Sequence, residues 1–150
     1  MVGALVVTHG DVARELVNAA QRITGENEAL RAVCIAWDED VATARRKIEE
    51  AVTQVERGAG VLILTDMFGG TASNLSLTLI APDKVEVVTG VNLSMLLKLG
   101  SAACARLSLS ELAEAVCGRG RESIQIPSRA LKCRPRDGGA VPVGGKEGGR

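Results

Sequence analysis

Short apolar runs that alternate with amphipathic segments are the feature that most restricts the fold of this chain. The apolar runs lie at residues 3–8, 32–36, 61–65 and 84–89, and such runs are typical of strands that are covered on both faces. The segments between them, at about residues 12–24, 41–57 and 72–81, carry apolar residues at helical spacing. This alternation predicts an α/β fold with a mostly parallel, open sheet flanked by helices. The charges of the fourth run indicate a less buried strand.

The C-terminal third of the sequence has a different composition. A short helix with Leu93 is expected first, and then a helix capped by Ser110. Residues 122–126 predict a weak last strand that Pro127 stops. Three of the four prolines lie after residue 118. We therefore expect one domain over residues 1–126 and a disordered, basic, Gly- and Pro-rich tail over residues 127–150.

Composition excludes several classes of function. One Trp, one Phe and no Tyr make a poor stacking surface for nucleic acid. Residues 1–118 have ten basic and fifteen acidic side chains, a net charge of −5, and residues 119–150 have eight and three, a net charge of +5. No apolar run approaches the ~18 residues of a membrane span, and no signal peptide is recognisable. Four distant cysteines and one histidine do not form a zinc motif. We expect a cytoplasmic protein with no metal and no cofactor.

Polar residues follow three of the predicted strands. His9, the only histidine, lies in a Thr-His-Gly turn, Asp66 follows the third strand, and Asn92 closes a Gly-Val-Asn turn. Because the carboxyl ends of parallel strands share one rim, these residues are expected to meet there. A carboxylate that accepts the Nδ1 proton of an imidazole leaves Nε2 with its lone pair. The pattern predicts a nucleophilic histidine.

A glycine pair stands beside this predicted histidine site. Gly69, Gly70 and Thr71 open the third helix. Glycines let backbone N–H groups approach an anion closely, and a helix N-terminus has unsatisfied donors that suit phosphate. The residues therefore predict a phosphate cradle next to the histidine.

Other interpretations of the same residues stay open at this point. His9 can be a packed or capping residue, and Asp66 can simply cap a helix. Ser73 could complete a hydrolase triad with them, but the chain has no GxSxG motif and Ser73 falls inside a helix. There is no Walker motif and no GxGxxG motif.

The three motifs together carry a resemblance that covers about residues 1–126. The Thr-His-Gly turn at residues 8–10, the Asp-Met-Phe-Gly-Gly-Thr segment at 66–71 and the Gly-Val-Asn-Leu segment at 90–93 resemble the mannose-family IIA component of the bacterial phosphoenolpyruvate-dependent phosphotransferase system. The resemblance implies a sheet of strand order 2-1-3-4 with an added antiparallel edge strand, which residues 122–126 would match. It also implies a homodimer.

The function that the resemblance implies is a phosphoryl relay. The phosphocarrier HPr would phosphorylate His9 on Nε2, and a IIB component would take the phosphoryl group onward toward a IIC/IID permease and its sugar. Asp66 would orient His9, while Gly70 and Thr71 would donate to the phosphate. Phe68 stands where relatives often have Trp, and Thr71 where they often have Ser.

The two aromatic residues of the chain follow strands, so Phe68 and Trp37 are expected on the same rim as a partner surface. A core position for either is the alternative. Two other functions also stay open. A regulatory module controlled by His9 phosphorylation would carry the same residues, and an unrelated small-molecule binder on a flavodoxin-like sheet is the third hypothesis.

Overall fold

The expected alternation of strands and helices is present in the computed structural model, which describes residues 1–132. In chain order the elements are β1 (Gly3–His9), α1 (Val12–Thr24), β2 (Leu30–Ile35), α2 (Val41–Val55), β3 (Val61–Thr65), α3 (Thr71–Leu77), β4 (Val85–Thr89), α4 (Leu93–Leu99), a 3-10 helix (Ala102–Arg106), α5 (Leu109–Glu122) and α6 (Pro127–Lys132). Within these residues, no helix combines the length and apolar character needed to cross a lipid bilayer.

The strands form one parallel sheet over the described residues, in the order β2-β1-β3-β4. This confirms the predicted fold class and strand order. The central strands β1 and β3 pair along their length, with Val7 opposite Thr65. At one edge of the sheet β4 is half-buried at every position, as its charged residues indicated.

Helices cover both faces of the sheet, which explains why β1 and β3 are apolar without alternation. On one face α1, α4 and α5 bury Ala13, Val17, Met95, Leu96, Leu112 and Val116. On the other face α2 and α3 bury Ala44, Ile48, Val55, Ala72 and Leu75. The two helical layers hold the sheet between them, and the loops at the carboxyl ends of the strands lie outside these layers.

The predicted antiparallel strand at residues 122–126 is wrong for the structure described. Helix α5 continues to Glu122, although Gly118 and Gly120 were expected to separate it from a strand. Gly120 lies directly against the Met95 side chain, so packing outweighs the cost of about 1 kcal/mol that a glycine adds to a helix. Only four residues, 123–126, then remain before α6, and they pair with no strand of residues 1–132.

The start of the expected tail also differs from the prediction. Residues 127–132 form α6, in which Pro127 is the first helical residue, a position that proline tolerates because its N–H would be unpaired there anyway. Residues 133–150 of the expected tail lie outside the described residues. The cap of α5 is Ser108 rather than Ser110, because Ser108 forms a capping box with Glu111.

Gly3 begins β1 against the end of α2, and we predict that Gly3→Ala destabilises the protein. An added Cβ would run into the backbone carbonyl of Val55, and overpacking of this kind costs about 1–3 kcal/mol. Gly118→Ala is the control, because nothing lies within 4 Å of its added Cβ and alanine stabilises a helix by about 0.5–1 kcal/mol over glycine. Urea unfolding should show opposite signs for the two variants. A Gly3→Ala protein as stable as the wild type would contradict this packing.

Candidate functional site

His9 and Asp66 lie side by side at the carboxyl edge of the sheet. His9 is the last residue of β1, and Asp66 directly follows β3, the neighbouring strand. From this point β1 leads toward β2 on one side and β3 leads toward β4 on the other. Such a switch of direction opens a crevice at the ends of the strands, which is where α/β sheets bind ligands.

The carboxylate of Asp66 holds His9 through two hydrogen bonds. Its Oδ2 accepts from the His9 backbone N–H at 3.0 Å and lies 2.8 Å from Nδ1 of the same residue. The other oxygen, Oδ1, accepts from the Met67 N–H at 2.9 Å. An ionised carboxylate only accepts, so Nδ1 is the donor and the neutral ring has a free lone pair on Nε2. The two side chains are 20% and 22% exposed, so the pair is partly desolvated and still reachable.

The hydrogen bonds keep Asp66 ionised. Partial burial by itself raises the pKa of this carboxyl group, but the hydrogen bonds from the His9 backbone, the His9 ring and the Met67 backbone outweigh it. The pKa of Asp66 therefore lies below its ordinary value, and the carboxylate is charged at neutral pH. An ionised Asp66 fixes the His9 tautomer that is protonated on Nδ1 and stabilises positive charge that develops on the ring during a reaction.

The turn after His9 is fixed by Thr8 rather than by Asp11. The buried Thr8 Oγ1 accepts from the Ala13 N–H at 2.7 Å, whereas Asp11, the residue before α1, pairs with Arg14 at 2.5 Å and its side chain caps no backbone group of α1. Gly10 has a φ of 54°, a left-handed conformation that glycine adopts without strain. This turn starts α1 at once and leaves the His9 ring at the rim.

Trp37 lies on the ring of His9. The ring centroids are 5.6 Å apart and the planes differ by 19°, within the range of offset stacking. Trp37 is 83% exposed and Phe68 is 73% exposed, so neither is a core residue. The stack was not predicted from the sequence. Ile35 pairs with His9 across β1 and β2, so Trp37, two residues further along, is within reach of the imidazole. The position of Trp37 just after the second predicted strand was the sequence feature that could have indicated the stack.

The glycine pair lies on another side of His9. A Cβ on Gly70 would come within 2.6 Å of His9 Cε1, so only glycine permits this approach. Gly69 has a φ of 85°. Gly70 is the N-cap of α3 and has no side chain to satisfy the first N–H groups of the helix, and Thr71 is its first residue. The structure thus places Gly70 against the His9 ring. The first backbone N–H groups of α3, which no cap side chain satisfies, follow Gly70 directly in the sequence.

Two other residues that the sequence offered for the site, Asn92 and Ser73, are not joined to His9. Asn92 accepts from the Met95 N–H at 3.1 Å and donates to the Gly120 carbonyl at 3.4 Å, so it caps α4 and ties it to α5. Ser73 is fully buried, and its hydroxyl has no hydrogen-bond partner within residues 1–132. A serine nucleophile needs a base in hydrogen-bond reach, so this arrangement is not a Ser-His-Asp triad.

Exposed apolar side chains follow β1, β2 and β3 at this edge. They belong to Val12, Trp37, Val41, Met67 and Phe68. Apolar and aromatic groups of this kind are typical of protein interfaces. The site therefore combines an oriented imidazole, a close glycine turn and an apolar surround, an arrangement suited to group transfer with a macromolecular partner.

Comparisons with known proteins agree with this geometry. Residues 3–117 match the family model described as "PTS system fructose IIA component", where PTS is the phosphotransferase system. The fructose-specific EIIA component of Bacillus subtilis (strain 168) is 31% identical over 133 residues, which are 88% of this chain and 90% of that protein. The mannose-specific EIIAB component of Escherichia coli (strain K12) is 28% identical over 135 residues, and the chain spans only 41% of its length.

A solved structure is similar as well. The phosphotransferase system component EIIA from Streptococcus agalactiae superimposes with a TM-score of 0.76 at 25% identity, covering 86% of this chain and 99% of that one. The family match covers well over half of the chain, and the resemblance read from the three motifs is confirmed. The chain therefore belongs to the IIA component family of the phosphotransferase system, whose role is that of a phosphoryl carrier in sugar uptake.

Proposed function

We propose that this chain accepts a phosphoryl group from phospho-HPr on Nε2 of His9 and passes it to a IIB component, and through it to a IIC/IID permease. The observation that carries the proposal is the 2.8 Å contact between His9 Nδ1 and Asp66 Oδ2. It leaves Nε2 as the free nitrogen of the only histidine in the chain. A protein that acts between a carrier and a IIB component would work in the cytoplasm.

The proposed step exchanges one P–N bond for another. The P–N bond of phospho-HPr breaks and its electron pair returns to the donor nitrogen, while the lone pair of His9 Nε2 forms the new bond to phosphorus. Nδ1 keeps its proton, so the product ring carries positive charge. Asp66 balances that charge through its hydrogen bond and does not face the phosphate. The transfer to a IIB component is the same exchange in the outward direction.

The proposed phosphate cradle consists of Gly69, Gly70 and Thr71. Its support is the close approach of Gly70 to the His9 ring and the position of Thr71 at the start of α3. Backbone N–H groups aimed at a transferring phosphoryl group stabilise its charge without reorganisation. Positioning and charge stabilisation are the main requirements of phosphoryl transfer.

The proposed partner surface is Phe68 and Trp37 at the rim. Both are far more exposed than aromatic residues usually are, and buried aromatic anchors contribute much of the binding energy of protein interfaces. We therefore place the HPr contact on these two side chains around His9.

A homodimer is proposed on the open edge of the sheet. In residues 1–132, β4 pairs on one side with β3 and is half-buried along its length. Ile124 and Ile126, which follow α5, are 77% and 53% exposed. An open sheet edge and exposed apolar side chains are both sites of association, and we infer that a second copy of this chain covers them.

We predict that His9→Ala abolishes labelling by phospho-HPr, because it removes the acceptor nitrogen. Asp66→Ala should keep the fold and the acceptor but slow the transfer, because the tautomer is no longer fixed. The measurement is uptake of labelled phosphate from phosphoenolpyruvate, enzyme I and HPr. The label should be labile in acid and stable in alkali, as a phosphoramidate is.

The outcomes of this assay separate the candidate functions. Label on His9→Ala protein, or label that survives acid like phosphoserine, would contradict the site. Wild-type protein that is labelled but transfers nothing to any IIB component would instead support a regulatory phospho-acceptor.

We predict that Phe68→Ala raises the KM for phospho-HPr by about ten-fold, about 1.4 kcal/mol of docking energy, with little change in stability. Ile23→Ala is the control, since Ile23 is also exposed but lies near the other end of α1 from His9. Rates are compared at subsaturating and saturating phospho-HPr. Unchanged rates at subsaturating phospho-HPr would remove Phe68 from the interface.

We predict that replacing both Ile124 and Ile126 by Asp converts a dimer to a monomer, because charges at these two exposed positions oppose their burial between two copies. Light scattering at micromolar concentration measures the mass, and Ile23→Asp is the matched surface control. A monomeric mass for the wild-type chain would contradict the proposed dimer.

A further inference from the structure

Trp37 has an unusual combination of exposure and contact. It is 83% exposed, yet one face of its ring system lies on the His9 imidazole. Its indole nitrogen also lies 3.4 Å from the position that a Cβ on Gly10 would occupy. The Trp37 side chain therefore covers the turn that carries His9.

The loop that carries Trp37 is held by its neighbours. The Glu39 carboxylate accepts from the Ala36 N–H at 3.0 Å and pairs with Lys47 at 2.6 Å. The Glu39 N–H in turn donates to the Ala36 carbonyl at 3.2 Å. Trp37 thus lies inside a tight turn that is anchored to α2, so its backbone is held beside His9.

Three groups confine the His9 ring. Asp66 holds Nδ1, Gly70 approaches Cε1 and Trp37 covers a ring face. A hydrogen bond at one atom leaves the ring free to tilt about that bond, whereas a stacked aromatic opposes the tilt. Tilting would swing Nε2, the atom opposite the hydrogen bond, away from the line of transfer.

We propose that Trp37 is a positioning residue that holds the His9 ring so that Nε2 points at the incoming phosphorus. The proposal rests on the proposed function and names the residue that orients its acceptor. Group transfer depends steeply on geometry, since a misplacement of about 1 Å can cost about 100-fold in rate. The loss of one of three constraints should cost about ten-fold.

A small donor separates positioning from protein docking. Phosphoramidate transfers its phosphoryl group to an imidazole: its P–N bond breaks, ammonia leaves with the electron pair, and the lone pair of Nε2 forms the new P–N bond. This donor needs no partner surface. Phe68→Ala is the docking variant, because Phe68 is a second exposed aromatic at the rim and the aromatic stack within residues 1–132 joins His9 to Trp37. Ile23→Ala is the control outside the site, since Ile23 is exposed and lies near the other end of α1 from His9.

The experiment measures labelling of the full chain by phosphoramidate and by phospho-HPr in Trp37→Ala, Trp37→Phe, Phe68→Ala and Ile23→Ala. Trp37→Ala should lower the rate about ten-fold with phosphoramidate and lower kcat similarly with phospho-HPr. Trp37→Phe should restore most of the rate, because a smaller ring still stacks. Phe68→Ala should raise the KM for phospho-HPr, and Ile23→Ala should change neither reaction. Circular dichroism checks that each variant is folded.

A spectroscopic measurement accompanies the rates. Trp37 is the only tryptophan, so its emission reports on the stack without interference. Phosphorylation of His9 should change that emission, and His9→Ala should shift the emission of the unphosphorylated protein.

Each outcome decides for or against the proposal. The proposal is overturned if Trp37→Ala and the wild type react with phosphoramidate at equal rates, or if the defect is confined to the KM for phospho-HPr. It is also overturned if Trp37 emission changes neither on phosphorylation nor in His9→Ala. Wild-type protein that takes label from phosphoramidate but none from phospho-HPr would contradict the proposed function alone. Wild-type protein that takes label from neither donor would contradict both.

Discussion

The hydrogen bond between His9 and Asp66 is the interaction on which the rest of the site depends. It joins the ends of two adjacent parallel strands, and Asp66 reaches both the backbone and the ring of His9. The sheet sets the distance between His9 and Asp66, because β1 and β3 are packed between two helical layers and cannot shift independently. The hydrogen bond supplies the chemistry, since it assigns the proton to Nδ1 and leaves Nε2 as the nucleophile.

Much of the fold and the central pair could be predicted because they rest on local patterns. Continuous apolar runs identified β1 and β3, and strand order followed from the resemblance carried by three motifs. His9 and Asp66 were predicted together because parallel strands end at one rim. The cap of α5 was missed, although the Ser-x-x-Glu signature of Ser108 and Glu111 was present in the sequence.

The remaining differences come from tertiary packing that local patterns do not contain. Two glycines indicated a break before residue 122, but contact with Met95 favours a continuous α5. Asp11 has the right residue type for a cap, yet a buried Thr8 hydroxyl takes that role because it lies under the first turn of α1. The stack of Trp37 on His9 joins residues from neighbouring strand ends, so it requires the register of β1 and β2.

The tautomer of His9 tests this account most directly. Because the chain has a single histidine, heteronuclear NMR of the ring nitrogens gives one pair of signals with no assignment problem. The account predicts a neutral ring protonated on Nδ1 in the wild-type protein, and loss of that preference in Asp66→Asn. A neutral ring protonated on Nε2 in the wild type, or an unchanged tautomer in the variant, would contradict the central role of Asp66.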